Sequence, residues 1–188
     1  VCIATYNGEK YIKEQLESIL SQIGEHDEVI ISDDISNDKT VEIIKSFQDN
    51  RIKIYINKEK FGATANFNES LSKASGDVIF LSDQDDVWHL EKNKRQVEIL
   101  SNHSEIEVLS ADTEFNVSTS EATVPTNYVF KDNTQELSKF PIERFYKAGF
   151  RQGMTLAIKK EFINRFLKYW QEDYNLLPHD ALIECLAG

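Results

Sequence analysis

Short apolar segments alternate with helical patterns along the chain, and this alternation restricts the possible fold more than any other feature. Predicted strands lie at residues 1–5, 28–32, 52–56, 78–81, 106–110 and 154–158. Predicted helices lie at 12–23, 41–47, 62–71, 89–101, 162–170 and 180–186, because apolar residues recur there at helical spacing. Such alternation is typical of right-handed crossovers and of a parallel sheet covered on both faces. The sequence therefore predicts an α/β fold, a Rossmann-like three-layer sandwich with a mostly parallel central sheet.

The charge and the cysteines restrict the partners and the compartment. The formal net charge is −11, which argues against a nucleic-acid partner, since the surface repels phosphates. Cys2 and Cys185 lie near opposite ends and form no disulfide framework, which favours a reducing cytoplasm. No apolar stretch reaches the roughly 18 residues that span a membrane. An acidic protein that binds a phosphate ligand needs local cations, and a metal held by carboxylates would supply them.

Three carboxylates follow the fourth predicted strand within four positions, at Asp83, Asp85 and Asp86. Carboxylates this close repel one another, and a hard cation such as Mg²⁺ or Mn²⁺ among them would relieve the repulsion. A solvated acidic turn that caps the next helix would also explain the residue types. An EF-hand is excluded because Asp83-Gln84-Asp85 continues with Asp86-Val87 and lacks the ligand and the glycine that the calcium loop requires next.

A second acidic pair, Asp33 and Asp34, follows the second predicted strand. A helix cap would explain Asp38 or Thr40 further along but not two adjacent acids before them. Ligands of such sheets bind beyond the carboxyl ends of the strands, where a carboxylate can accept hydrogen bonds from a ribose or a base. No glycine-rich phosphate loop of the GxxxxGK[ST] or GxGxxG type occurs. Phosphate would then be bound by a metal and by scattered side chains.

Taken in order, these segments resemble family 2 glycosyltransferases over nearly the whole chain. The resemblance is carried by residues 5–8 (TYNG), 33–40 (DDISNDKT), Gly62 with Asn66, 82–86 (SDQDD), 153–157 (GMTLA) and the pair His179-Asp180. Members of this family are inverting enzymes of the A-type glycosyltransferase fold, and His179 before Asp180 is similar to a rhamnosyltransferase-like subgroup. The resemblance implies a metal-dependent transfer of one sugar from a nucleotide diphosphate-sugar to an acceptor hydroxyl, in bacterial surface polysaccharide synthesis.

The resemblance also implies roles for individual residues. Nucleotide binding is implied for Thr5, Tyr6, Asn7, Asp33, Asp34, Asn66 and Asp83. Asp83 and Asp85 would form a DxD site for Mn²⁺ or Mg²⁺, and Asp180 would be the catalytic base. The acceptor would be a saccharide or a lipid-linked saccharide, with peripheral association at the inner face of the membrane.

Periodicity weakens after Ala111, where residues 112–133 are rich in Thr, Ser, Asn and Glu, and we therefore place a soft boundary near residue 112. We expect a nucleotide-sugar-binding half, residues 1–111, and an acceptor-binding half of the same catalytic domain, residues 112–188. Because the sequence starts at Val1 inside a strand pattern, we expect a fragment trimmed at both ends, with any anchor or further domain outside it. Arg151 and Gln152 are candidates for contact with donor phosphate or acceptor. Trp88 and Trp170 could stack on a sugar or base, although a core role is at least as plausible for each.

Two other functions remain open from the sequence. A sugar nucleotidyltransferase shares the alternating fold and the metal carboxylates, but it would need a basic, glycine-rich loop after the first strand, where Thr5 to Glu9 stand. A non-catalytic nucleotide-binding relative would retain the fold without turnover. The QxxRW motif of processive synthases is absent, which favours transfer of single sugars over polymerisation.

Overall fold

The computed structural model describes residues 1–111, 137, 153–170 and 183, with the backbone only at 169 and 170. The elements in chain order are β1 (Cys2–Thr5), α1 (Ile12–Leu20), β2 (Val29–Asp33), α2 (Thr40–Ser46), β3 (Ile52–Ile56), α3 (Ala63–Lys73), β4 (Val78–Ser82), α4 (Lys92–Asn102), β5 (Val108–Ser110), a 3₁₀ turn (Gly153–Thr155), β6 (Leu156–Lys159) and α5 (Lys160–Trp170). The predicted helix at 180–186 lies outside the described residues, apart from Ile183.

The described strands form one sheet in the order β3-β2-β1-β4-β6-β5. Strands β1 to β4 are parallel, and β6 pairs antiparallel with both β4 and β5. The sheet is therefore mostly parallel, as predicted. Its order could not be predicted from the strand pattern, because β6 from late in the chain lies between β4 and β5.

Alternate residues of each strand face two separate cores, one on either side of the sheet. One core packs Ile30, Leu81 and Ile158 against apolar residues of α3 and α5. The other packs Ile31 and Phe80 against α1, α2 and α4. Helices thus cover both faces, and the predicted three-layer architecture is confirmed.

Two predicted boundaries move for identifiable reasons. The predicted strand at 154–158 begins as the 3₁₀ turn, and the Thr155 carbonyl at its end accepts hydrogen bonds from Gln96 and from the Ala111 amide, each at 3.1 Å. The helix predicted from His89 begins at Lys92, after Glu91 in the left-handed region at φ 67°. A left-handed residue interrupts helical geometry, so α4 cannot include the preceding turn.

The strand order reverses between β1 and β4, and this reversal locates the ligand side of the sheet. From β1 the chain proceeds to β2 and β3 on one side and then returns to β4 on the other. At such a switch point the crossing helices diverge and leave a crevice beyond the carboxyl ends of the strands. All four parallel strands end at this edge.

At the opposite end of the parallel strands, Glu28 binds three segments of the chain. Its carboxylate accepts hydrogen bonds from Lys53 Nζ at 2.6 Å and from the Ser75 amide and hydroxyl at 2.7 and 2.8 Å. Its carbonyl accepts the Val1 amino group at 2.7 Å. Burial opposes ionisation of Glu28, but the hydrogen bonds from Lys53 and Ser75 outweigh it and lower the pKa to about 2.

Two further observations concern the burial of Cys2 and helices that could cross a membrane. Cys2 lies fully buried in the sheet as a free thiol, and burial raises its pKa. Within the described ranges, no helix combines the length and apolarity needed to cross a membrane.

We expect Glu28→Gln to lower the free energy of unfolding by about 1–2 kcal/mol at pH 7, because it removes the charge that Lys53 and Ser75 stabilise. The folded-state pKa is depressed, so the contribution is complete above the unfolded pKa near 4.5 and is lost as pH falls toward about 2. Urea unfolding at pH 7 and pH 3.5 should show a smaller difference between wild type and variant at pH 3.5.

The control is Glu17→Gln, which removes an exposed partner of Lys13 at 3.9 Å. We expect it to change stability by less than about 0.5 kcal/mol at either pH. An equal effect of the two substitutions would contradict the role assigned to Glu28.

Candidate functional site

The carboxyl ends of β1, β2, β3 and β4 bring the candidate residues to one edge. Thr5 pairs with Asp33, Asp33 pairs with Ile56, and Ser82 pairs with Ile3. The residues that follow each strand therefore lie side by side at the switch point. Every predicted nucleotide- or metal-binding residue comes from this edge except Asn66, which reaches it from α3.

Asp33 is fully buried and holds the β2 turn. Its Oδ2 accepts the hydroxyls of Thr5 at 2.7 Å and Ser36 at 2.6 Å, and its Oδ1 accepts the Ser36 amide at 2.8 Å. Ile35, which lies between Asp33 and Ser36 in the chain, is in the left-handed region at φ 59°, which is unusual for a β-branched residue. Asp33 thus stabilises a strained turn, and both of its carboxylate oxygens bind groups of the protein.

Asp34 is also buried, and it binds the loop that follows β3. Its Oδ1 accepts the Phe61 amide at 2.7 Å and Asn57 Nδ2 at 3.2 Å, and its Oδ2 accepts the Gly62 amide at 3.0 Å. Burial opposes ionisation, but these hydrogen bonds outweigh it and hold the pKa of Asp34 below its ordinary value. Two carboxylate oxygens offer about four acceptor sites, so with these three donors Oδ2 retains one.

Asn57 joins Asp34 to Asn66, and sequence reasoning missed it. Its Nδ2 also donates to Asn66 Oδ1 at 2.9 Å, while its Oδ1 accepts the Ser32 hydroxyl at 3.2 Å. Asn66 is buried and donates to the Thr5 carbonyl at 3.2 Å. The rule that identified the other strand ends would have found Asn57, since it directly follows β3.

The turn after β1 is bonded to the turn after β2 by a series of polar contacts. The Asn7 amide donates to Ser36 Oγ at 2.9 Å, and the Asn37 amide donates to Asn7 Oδ1 at 2.9 Å. The Gly8 amide donates to Thr40 Oγ1 at 2.7 Å. Asn7 therefore positions the loop through its side chain and its left-handed backbone, at φ 49°.

Tyr6 lies at the surface of the crevice, with its side chain partly exposed. Lys60 Nζ lies 4.2 Å from the centre of the Tyr6 ring and donates to the Tyr6 hydroxyl. Phe61 and Ile35 are also exposed beside Asp34. Exposed apolar surface next to an ionised carboxylate is suited to a planar, partly polar ligand.

The acidic turn after β4 is anchored at both of its ends. Ser82 is buried, and its hydroxyl accepts Gln15 Nε2 and, at 3.2 Å, the indole Nε1 of Trp88. The Trp88 amide donates to Ser18 Oγ at 3.0 Å. The Trp88 ring is buried 5.2 Å from that of Phe80, so the core role considered for Trp88 is confirmed.

Gln84 connects the acidic turn to β1. Its Oε1 accepts the Tyr6 amide at 3.0 Å, and its Nε2 donates to the Tyr6 carbonyl at 3.3 Å. A Cβ on Gly8 would lie 2.4 Å from Gln84 Oε1, so a larger residue at this position would displace the Gln84 side chain. The side chain of Gln84 thus bridges the switch point where β1 and β4 separate.

The pKa values of Asp86 and Lys92 are shifted toward the neutral form of each group. Burial and the charge of Asp85 raise the pKa of Asp86 to about 6, and its Oδ2 has no hydrogen-bond partner among the described residues. Burial lowers the pKa of Lys92 to about 8, against the charges of Asp86 and Asp83. Uncompensated negative charge therefore remains in this turn.

The carboxylates of the acidic turn fit a divalent cation whose remaining ligands come from a bound substrate. In the described ranges, no three His, Cys, Asp or Glu side chains are grouped as a metal site. Asp83 is partly buried and Asp85 is exposed. Mg²⁺ and similar ions commonly bind through one or two carboxylates together with substrate phosphates, so an incomplete protein ligand set is compatible with such an ion.

Several predicted site residues lie outside the described part of the chain. These are Asp180, His179, Arg151 and Gln152, together with the side chain of Trp170. Their roles therefore remain predictions.

Comparison with known proteins places this geometry in a family. Residues 1–174 match the family model described as Glycosyl transferase family 2. The chain is 34% identical over 174 residues to a protein of Shigella flexneri named dTDP-rhamnosyl transferase RfbG. The match covers 89% of this chain and 57% of that protein, so the chain spans little more than half of its relative's length.

Solved structures support the fold. S. aureus TarS residues 1–349, in complex with UDP-GlcNAc, matches with a TM-score of 0.69 at 24% identity, over 87% of this chain and 45% of that one. The mannosyltransferase PcManGT from Pyrobaculum calidifontis, in complex with GDP-Man and Mn²⁺, matches with a TM-score of 0.61 at 19% identity, over 87% and 44%. These neighbours have the A-type glycosyltransferase fold that the sequence predicted.

We expect Asn57→Ala to lower the free energy of unfolding by about 1–3 kcal/mol, because it leaves Asn66 Oδ1 without its donor and removes one donor from Asp34. Chemical denaturation at pH 7 would measure the change. Asn102→Ala, at an exposed position at the end of α4, is the control and should stay within about 0.5 kcal/mol of wild type. Equal stabilities of Asn57→Ala and wild type would contradict the network.

Proposed function

Because the chain belongs to glycosyl transferase family 2, we propose that it catalyses metal-dependent, inverting transfer of a single sugar from a nucleotide diphosphate-sugar to an acceptor hydroxyl. One observation carries the proposal. Asn57 and Asn66 connect the carboxylate of Asp34 to the end of β1, and Gln84 connects the end of β1 to the acidic turn. A base-binding group and a phosphate-metal group at one crevice are what a nucleotide diphosphate requires.

The chemistry of Asp34 favours a uracil or thymine base. Both bases carry an imide N–H, and an ionised carboxylate with one remaining acceptor site can accept it. The partly exposed rings of Tyr6 and Phe61 provide apolar surface next to that acceptor. The names of the dTDP-rhamnosyl relative and of the UDP-GlcNAc complex agree with a uridine or thymidine diphosphate donor.

Asp83 and Asp85 would hold Mn²⁺ or Mg²⁺, with the donor's diphosphate completing the ligand set. When bound, the metal would stabilise the charge that develops on the leaving diphosphate. The Mn²⁺ in the mannosyltransferase complex, which shares the fold, supports this assignment. Lys60, partly exposed beside Tyr6, adds a positive charge at the same crevice.

We propose Asp180 as the general base, on the resemblance of His179-Asp180 to the corresponding family segment. The acceptor oxygen forms a bond to the anomeric carbon while the bond from that carbon to the diphosphate oxygen breaks. The acceptor proton passes to Asp180, and nucleoside diphosphate leaves. One displacement inverts the anomeric configuration, so a covalent sugar-enzyme intermediate is not needed.

The proposed setting is the assembly of a bacterial surface polysaccharide at the cytoplasmic face of the membrane. The dTDP-rhamnosyl relative from Shigella flexneri supports a bacterial sugar donor of this kind. The acceptor would be a saccharide or a lipid-linked saccharide, and a lipid carrier would require peripheral contact with the membrane.

We expect the protein to bind uridine or thymidine diphosphate by calorimetry, at least tenfold more tightly with Mn²⁺ than without it. Asp85→Asn should weaken the Mn²⁺-dependent binding by at least about tenfold, because it removes a metal carboxylate. Asp77→Asn is the matched control, since Asp77 is an exposed acid before β4 at the opposite end of the same strand. It should bind as wild type. Failure of the folded, Mn²⁺-loaded protein to bind either nucleotide would favour the non-catalytic alternative.

Turnover separates an enzyme from a nucleotide-binding relative. We expect release of nucleoside diphosphate from UDP-glucose or dTDP-rhamnose by the wild type, and a fall of about 10²–10⁴-fold in Asp180→Asn with nucleotide binding unchanged. Equal loss of binding and turnover in Asp180→Asn would contradict its role as base.

A further inference from the structure

Lys92, the first residue of α4, places its side chain between two turns that are distant in the chain. Its Nζ donates to the Met154 carbonyl, 62 positions away, at 2.7 Å. The same atom lies 4.4 Å from the centre of the Trp88 ring, within cation–π distance. One ammonium group therefore contacts both the end of the acidic turn and the 3₁₀ turn that precedes β6.

Gln96, one helical turn further along α4, makes a parallel contact. Its Nε2 donates to the Thr155 carbonyl at 3.1 Å. Residues four apart lie on one face of a helix, so Lys92 and Gln96 together hold the Gly153–Thr155 turn against α4. Of the two, only Lys92 also carries a charge toward Asp83 and Asp86.

The backbone before Lys92 is held in an unfavourable conformation. Glu91 occupies the left-handed region at φ 67°, which is unfavourable for a residue other than glycine. Lys92 directly follows this residue and contributes side-chain contacts with Met154 and Trp88.

We propose that Lys92 is a positioning residue of the transferase site. Its ammonium group fixes the acidic turn, residues 82–88, against the Gly153–Thr155 turn. This inference rests on the proposed function for its effect on catalysis, and on the contacts of Lys92 for its effect on the two turns.

The first test needs no ligand. The Trp88 indole and amide hydrogens are protected by Ser82 and Ser18, and the Ala111 amide is protected by the Thr155 carbonyl. We expect Lys92→Met to speed hydrogen exchange at both Trp88 and Ala111 by about tenfold or more, measured by NMR under native conditions. Unchanged exchange at either residue would overturn the proposal.

The matched control is Lys94→Met, which removes the same charge from an exposed position on the same helix. It should leave both exchange rates within about twofold of wild type. If Lys92→Met does not fold, the double variant with Asp86→Asn is measured instead, because it also removes the charge that Lys92 faces. It should fold and should still exchange faster at Ala111; protection equal to wild type at Ala111 would overturn the proposal.

The second test measures uridine or thymidine diphosphate binding with Mn²⁺. We expect Lys92→Met to weaken binding by about tenfold or more at a temperature where it is fully folded, and Lys92→Arg to restore it to within about threefold. A folded Lys92→Met that binds as wild type would show that Lys92 acts on stability only. Absence of binding by the wild type would refute the proposed function instead, and the exchange rates would then decide the role of Lys92.

Discussion

The carboxylate of Asp34 accepts the amide hydrogens of Phe61 and Gly62, and the arrangement of the ligand edge depends on this interaction. Gly62 at φ 78° is the N-cap of α3, so Asp34 determines where that helix begins. Asn66, in the first turns of α3, then reaches the Thr5 carbonyl. Amides at a turn must find acceptors when water is excluded, and a carboxylate is the strongest acceptor available. The same hydrogen bonds favour the ionised form of Asp34, because they lower the pKa of its carboxyl group against the effect of burial.

The alternation of strands and helices was enough to predict the fold class and to locate Asp34, Asp83 and Asp85 at strand ends. Neither the sheet order nor the residues that connect the strand ends could be predicted. Gln84 meets Tyr6 across 78 positions and Lys92 meets Met154 across 62. These contacts depend on which strands are neighbours, and periodicity carries no information on that. Asn57 differs, because its position after β3 was itself a usable signal.

The two acids after β2 make different contacts, which residue type alone does not predict. Both were candidates for nucleotide binding, and their sequence context is nearly identical. The structure distinguishes them by their partners: Asp33 accepts the hydroxyls of Thr5 and Ser36 within its own turn, whereas Asp34 accepts the amides of Phe61 and Gly62 from the loop after β3.

The position of β6 also has a consequence for synthesis on the ribosome. β5 leaves the ribosome first, yet its only partner among the described strands is β6, which begins at Leu156. Until residues 156–159 emerge, β4 has one unpaired edge and β5 has no strand to join. Closing the intervening segment costs conformational entropy before any pairing is gained. Completion of this sheet is therefore late and nonlocal, and the growing chain must keep an apolar strand edge from pairing with other chains in the meantime.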